Sequence, residues 1–356
     1  MMPDEHDPAA ADERDPAEAD VRDPAAAGER DPAGAGKRHV GLWGATQSGK
    51  TTFISALFLA TGRLTSNDVR IRGNNSDSTD FLIRNTHTLN QQRRFPEPTI
   101  ARQPLSWTIQ MLVPNRARRW FFRPGPERVP FDFNVDVQDV GGFEHGALPE
   151  AEGSRLDIAG DGAAAPRTDI AAYFATCQGL LLLIDPIREL KDGDAYNFFF
   201  GTMLRLAQEQ PVPAGQRLPH YIAVCVTKFD DPVVYEFGRD HGLISYRDDD
   251  PAMLPRVHPE ETEAFIEQLF RVMPKSDVEL LVGGLHQYFD ADRIKFFVSS
   301  AVGFYIGPHG MFNVLDYKNV AVDGDGEPII RGQIHPINVA EPLLWLGERI
   351  AAETRP

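Results

Sequence analysis

The chain has 356 residues, 42% of them hydrophobic, enough for one large or two small cored domains. Its 52 acidic against 36 basic residues leave a formal net charge of −16, which argues against a general binder of nucleic acid or anionic membranes, since both depend on accumulated positive charge. Cys177 and Cys225 each lie in an apolar stretch and are expected as buried, reduced thiols. No apolar run reaches the length of a membrane span and the N-terminus has no signal-like apolar core, so a cytoplasmic protein is expected.

The chain opens on a repeat of eight residues, Asp-Pro-Ala-x-Ala-x-x-Arg, starting at Asp7, Asp15, Asp23 and Asp31 and closing at Arg38. Proline at this interval breaks helices, and Ala, Asp, Glu and Gly offer too little apolar surface to offset chain entropy. Residues 1–38 therefore read as a disordered low-complexity tail, either a spacer or docking segment or simply solvated chain. The globular region, 39–356, starts with a short buried strand, Arg38 to Trp43, and a helix from Thr52 to Ala60. Between them stands Gly44-Ala45-Thr46-Gln47-Ser48-Gly49-Lys50-Thr51, a G-x-x-x-x-G-K-T loop. In that strand–loop–helix context the pattern is a phosphate-binding loop. Its glycines let backbone N–H groups turn toward phosphate oxygens, and the helix N-terminus adds a favourable dipole. Lys50 would neutralise the β- and γ-phosphates, the Thr51 hydroxyl would complete a Mg²⁺ shell, and Thr52 extends the nucleotide-binding set.

Further along, Asp80 to Arg94 suits a helix and Phe95-Pro96-Glu97-Pro98-Thr99 an extended segment. Leu105 to Leu112 and Phe131 to Val137 alternate as the strands of a hairpin. The second strand runs into Gln138-Asp139-Val140-Gly141-Gly142, where Asp139 would hold Mg²⁺ through water and the Gly142 N–H would meet the γ-phosphate. The stretch from His145 to Arg167 is rich in Gly, Ala and acids and reads as an excursion. A helix from Thr168 to Cys177 precedes Leu180–Ile184, an uninterrupted apolar run of the kind a parallel strand covered on both faces requires. A helix from Asp194 to Gln208, with Phe198, Phe199 and Phe200 facing the core, precedes a second such strand, His220 to Val226, ending in Thr227-Lys228-Phe229-Asp230. A helix over Pro259 to Val272, a strand Ile294 to Val298 ending in Ser299-Ser300-Ala301, and a closing helix within Pro336 to Ala352 complete the pattern. Strands alternating with helices predict an α/β fold: a mostly parallel sheet with one antiparallel hairpin strand and helices on both faces, in three layers.

The four boxes, in this order and each at a strand end, resemble the translation-factor and Ras-like class of P-loop GTPases. The resemblance covers the region from His39 to the C-terminus. It implies that Asp230 accepts hydrogen bonds from the guanine N1–H and 2-amino group, that Lys228 covers the ring, and that a backbone N–H at Ser300 or Ala301 reads O6. Thr227 stands where Asn is commonest. Adenine lacks that donor pair, and a buried carboxylate left unpaired with ATP costs ~1–3 kcal/mol or more. A switch threonine that ligates Mg²⁺ is assigned to Thr99, with Thr88 as the alternative. More narrowly, the phrases around Leu42–Thr52, Phe95–Thr99 and Pro336–Leu346 are similar to a bacterial double-GTPase group of conflict and signalling gene clusters.

Two departures bear on turnover. The residue after Gly142 is Phe143, which cannot orient water by hydrogen bonding. Translation factors have a His there, and in this chain His145 lies two residues beyond. Thr46 replaces a glycine beside the γ-phosphate. Arg93 and Arg94, near the switch threonine, are either a catalytic arginine supplied in cis or solvated surface charge. The resemblance thus implies a GTPase, slow or partner-activated, that binds GTP/GDP and Mg²⁺, hydrolyses GTP as a conformational switch, and works with a protein activator or effector, another GTPase included. The alternatives are a non-hydrolysing guanine-nucleotide-binding scaffold and an ATPase of the same fold. Two other clusters take blander readings. The basic-aromatic run Asn115 to Arg123 reads as a hairpin tip or partner contact rather than a nucleic-acid site, and Arg247 to Pro251 as a solvated loop rather than a Ca²⁺ loop.

Overall fold

The computed structural model describes residues 38–45, 47–64, 68–97, 105–114, 128–137 and 170–354. In chain order these form β1 (His39–Gly44), α1 (Lys50–Gly62), β2 (Val69–Gly73), α2 (Ser76–Asn90), β3 (Leu105–Pro114), β4 (Arg128–Val137), α3 (Ile170–Ala175), β5 (Gly179–Ile184), α4 (Pro186–Asp192), α5 (Ala195–Glu209) and β6 (Tyr221–Val226). They continue as α6 (Pro232–Asp240), β7 (Ile244–Ser245), β8 (Arg256–Val257), α7 (Thr262–Arg271), α8 (Val278–Tyr288), β9 (Ile294–Val298), β10 (Val320–Val322), β11 (Pro328–Ile330) and α9 (Glu341–Thr354).

Seven strands form one sheet in the order β2-β3-β4-β1-β5-β6-β9. From β4 to β9 every pairing is parallel, while β3 runs antiparallel to both of its neighbours, β2 and β4. The expected α/β sheet with one antiparallel hairpin strand is the sheet found. Every residue of β5 and β6 is buried, because both faces of these strands are covered. Alternation sorts their side chains into two cores. Leu180, Leu182, Ile222 and Val224 join α3, α5, α6, α7 and α8 on one face. Leu181, Leu183, Ala223 and Cys225 join α1, α2 and α9 on the other. Cys177 belongs to the first core and Cys225 to the second, so the sheet itself separates the two thiols.

Several local expectations need correcting. The helix assigned from Asp80 begins at Ser76, because the Asn75 side chain accepts the Ser78 N–H at 2.7 Å and caps it. That expected at Pro259 begins at Thr262, after a turn closed by Glu261 N–H to His258 O. The closing helix starts at Glu341, since Ile337 is paired with Ser300. Phe198 and Phe199 are buried as expected, but Phe200 is half-buried and stacks on Tyr196. The stretch Arg247 to Pro251 is a loop in which Arg247 grips Asp249, and among the described residues no group of His, Cys, Asp or Glu is placed to hold a metal ion. No described helix is long and apolar enough to cross a membrane. The repeat tail up to Lys37 and the basic-aromatic run Asn115 to Trp120 with its continuation to Arg123 lie outside the described residues.

Candidate functional site

Because β1, β5, β6 and β9 are parallel, the loops after them open at one edge of the sheet. The phosphate loop leaves β1 at Gly44, whose neighbours leave no room for a side chain. A Cβ there would lie 2.7 Å from the Leu183 carbonyl oxygen. Gln47 and Gly49 both have positive φ, 64° and 91°, which turns successive peptide groups toward a common concavity. Gly49 is the N-cap of α1 and offers no side-chain cap, so the first turn of that thirteen-residue helix presents its amides to whatever occupies the loop. Lys50 Nζ donates to the carbonyl oxygens of Gly44 at 2.9 Å and Ala45 at 3.2 Å. Ser48 is buried, and its hydroxyl has no hydrogen-bond partner among the described residues.

The loop after β6 is tied to the phosphate loop. Thr227 N–H bonds the Ile184 carbonyl at 2.9 Å, and its hydroxyl lies 3.2 Å from Ile184 O and 3.3 Å from Ser48 O. Lys228 holds φ at 57°, an uncommon conformation for a side-chain-bearing residue, and its ammonium lies 2.6 Å from the Asp185 carboxylate. Asp185 follows β5 and also caps α4, accepting the Ile187 N–H at 2.9 Å. Asp230 is buried, and its carboxylate accepts the Ser300 hydroxyl. Burial pushes its pKa up to about 6. The Ser300 hydroxyl in turn accepts the Gly303 N–H at 2.7 Å, while the Ser300 N–H is committed to Ile337 O at 3.0 Å. Phe229 N–H to Ser299 O, at 2.9 Å, locks the loops after β6 and β9 together.

These loops line one cavity of about 460 Å³. Gln47 and Gly49 of the phosphate loop with Thr52 of α1 form part of its wall, and Thr227, Lys228, Asp230 and Ala301 another, so these sequence-predicted residues of both groups meet in one space. Thr51 stands in the first turn of α1. Thr46, Thr99, Asp139, Gly142 and His145 lie outside the described residues, as does Phe143. The alternative switch threonine, Thr88, sits in the last turn of α2 and is not among the residues lining the cavity. Arg93 and Arg94 are both exposed, neither lines the cavity, and each has a partner at the surface. Arg93 donates to Arg331 O at 2.9 Å and Arg94 pairs with Asp323 at 2.8 Å.

Sequence reasoning missed several lining residues: Phe53, Phe95, Asp231, Pro232, Lys318, Val320 and Pro328. Asp231-Pro232 carried a readable signal, a helix cap followed by proline in the first turn, and it does start α6. Lys318, Val320 and Pro328 carried none, because only tertiary folding brings their segment to the cavity.

No protein-family model matches the chain, and no curated protein matches it. Among solved structures, the chain is similar to the signal recognition particle receptor SRb–GTP/SRX complex from Chaetomium thermophilum, at 9% identity and a TM-score of 0.33, over 77% of this chain and 94% of that one. It is similar also to sup35 complexed with GDP, at 11% identity and a TM-score of 0.26, and to sup35 complexed with GMPPNP, at 12% and 0.25. Each sup35 match covers 75% of this chain, which spans 38% of the sup35 chain.

Proposed function

We propose that this chain binds guanine nucleotides and hydrolyses GTP to GDP and phosphate, cycling between two conformations read by a protein partner. Asp230 carries the reading. It is a buried carboxylate at the wall of a cavity that also reaches the phosphate loop, and the Ser300 hydroxyl is the side-chain donor bonded to it. A carboxylate so desolvated gains most from a ligand that brings two N–H donors side by side, as the N1–H and 2-amino group of guanine do. With the Ser300 N–H engaged by Ile337, the amide that reads O6 falls to Ala301. Lys228, its ammonium held by Asp185, would cover the base.

At the other end, the N–H groups of the loop from Gly44 to Thr51 hold the phosphates, and a rotation of Lys50 away from its loop carbonyls brings its charge to the β- and γ-oxygens. Thr51, with Thr99 and Asp139, would hold Mg²⁺, which when bound would supply charge neutralisation on those oxygens. Gly142 would contact the γ-phosphate, and His145 lies two residues beyond the water-orienting position that Phe143 does not fill. Turnover is accordingly slow or raised by a partner, an activator or effector that includes another GTPase. The resemblance of the Leu42–Thr52 and Pro336–Leu346 phrases favours a regulatory place in a bacterial signalling or conflict system.

The test compares GTP, ATP and xanthosine triphosphate on the wild type and Asp230→Asn. The reading expects GTP over ATP for the wild type and, for the variant, a loss of GTP affinity of about a hundredfold with partial recovery by the xanthosine nucleotide. ATP binding unaffected by the substitution and equal to that of GTP would sink the guanine reading. Single-turnover phosphate release, with and without cell lysate, separates the enzyme from a non-hydrolysing scaffold, which would release none above background.

A further inference from the structure

The β10–β11 hairpin lies late in the chain, outside the four boxes, yet it reaches the nucleotide cavity. Val320 pairs with Ile330 and Val322 with Pro328, so these four side chains share one face. Ile330 is seated in the core on the α1 and α9 side of the sheet, and Val320 and Pro328 line the cavity, with Lys318 just before the hairpin. The base of the hairpin is fixed to the loop after β9. Asn319 is fully buried; its amide donates to the carbonyl oxygens of Val302 at 3.1 Å and Gln333 at 3.2 Å, and its oxygen accepts the Gly332 N–H at 2.9 Å. Val302 itself follows Ser300 and Ala301.

The β11 strand of the hairpin holds a second segment. Arg94 forms an antiparallel bridge with Ile329, and Ile330 N–H bonds the Arg93 carbonyl at 2.9 Å. Arg93 has φ 56°, a strained value that persists only where the surroundings over-determine it. Asp323, in the hairpin turn, accepts the N–H groups of Asp325 and Glu327 at 3.0 Å and pairs with Arg94. The next residue, Phe95, lines the same cavity as Val320 and Pro328.

Resting on the guanine-nucleotide reading, we propose that this hairpin is an internal nucleotide strap. Lys318, Val320 and Pro328 close the cavity over the bound nucleotide, and Arg93 and Arg94 are positioning residues that keep Phe95 against it. Release then requires the hairpin to let go of the Arg93–Phe95 segment, so the late insert sets the lifetime of the bound state.

The experiment is displacement of a fluorescently labelled GDP from the purified full chain. Arg94→Glu places a second carboxylate against Asp323 and is expected to release GDP about fivefold faster, while Arg94→Lys, which keeps the pair, stays within about twofold of wild type. The melting temperature of the nucleotide-free protein is expected to be the same in all three, which separates a strap from general loosening. Release by Arg94→Glu at the wild-type rate, or faster release accompanied by a lowered melting temperature, overturns the strap. A wild type that binds no labelled GDP overturns the guanine reading and the strap with it. A wild type that binds, with variants that do not differ, overturns the strap alone.

Discussion

Two adjacent loops, those after β5 and β6, each place a buried aspartate at the same edge of the sheet, and their surroundings differ. Asp185 is satisfied from within the chain by the amides that open α4 and by the Lys228 ammonium. Asp230, on the neighbouring strand, meets the Ser300 hydroxyl and a cavity, and burial raises its pKa to about 6. One carboxylate completes the fold, and the other is held in a costly state that a ligand can relieve.

The same substitution at the two positions would sharpen the contrast most. Asp230→Asn, beyond its loss of GTP affinity, is expected to stabilise the nucleotide-free protein at pH 7 by up to about 3 kcal/mol, which urea unfolding would read. The sign follows from linkage. The folded pKa of Asp230 lies above its unfolded value, so the stability it contributes is complete below about pH 4 and is lost as pH rises through about 6. Asp185→Asn is expected to act oppositely, losing about 1–2 kcal/mol because Lys228 forfeits its charged partner although the amide cap survives. If both substitutions shift stability in one direction, the distinction between the loops fails.

The pH dependence of binding gives a smaller effect. The ionised carboxylate is the form that accepts the base, so GDP affinity should fall about tenfold from pH 7 to pH 5, through the raised pKa. Asp230→Asn should remove that portion of the profile, whereas phosphate protonation would persist in both proteins. Smallest of all, Thr227→Val deletes the hydroxyl shared between the Ile184 and Ser48 carbonyls. It should cost about 1 kcal/mol of stability and leave the preference for GTP over ATP unchanged.

Much of the scaffold was legible because its signals are local. β5 and β6 are continuous apolar runs, and the phosphate loop is defined by spacing within eight residues. β2 was not legible, since Val69-Arg70-Ile71-Arg72-Gly73 carries only two apolar side chains and owes its place to pairing with β3. α8 was missed for its Gly283-Gly284 pair, whose low helix propensity is outweighed by packing; a Cβ at Gly284 would lie 3.0 Å from Phe199. At the site, Asp230 and Lys228 were readable from their box, but Asp185, the partner of Lys228, lies 43 residues earlier by number, and no local pattern links them. The hairpin contacts of Arg93 and Arg94 span more than two hundred residues and arise only in the folded chain.

The sheet order has a consequence for self-association. Among the described residues β2 and β9 end the sheet, the position where strands can add laterally, and at β9 the Val298 carbonyl is already taken by the Asn338 amide at 2.9 Å. β2 sets exposed Arg70 and Arg72 along its edge, and β9 sets Lys295, half-buried over the Phe297 ring. Paired head to head, two such edges would bring like charges together, so the strands most able to recruit a second copy of the chain are the ones that repel it. In a protein whose net charge is strongly negative, cations at the sheet ends would oppose edge-to-edge pairing of two copies.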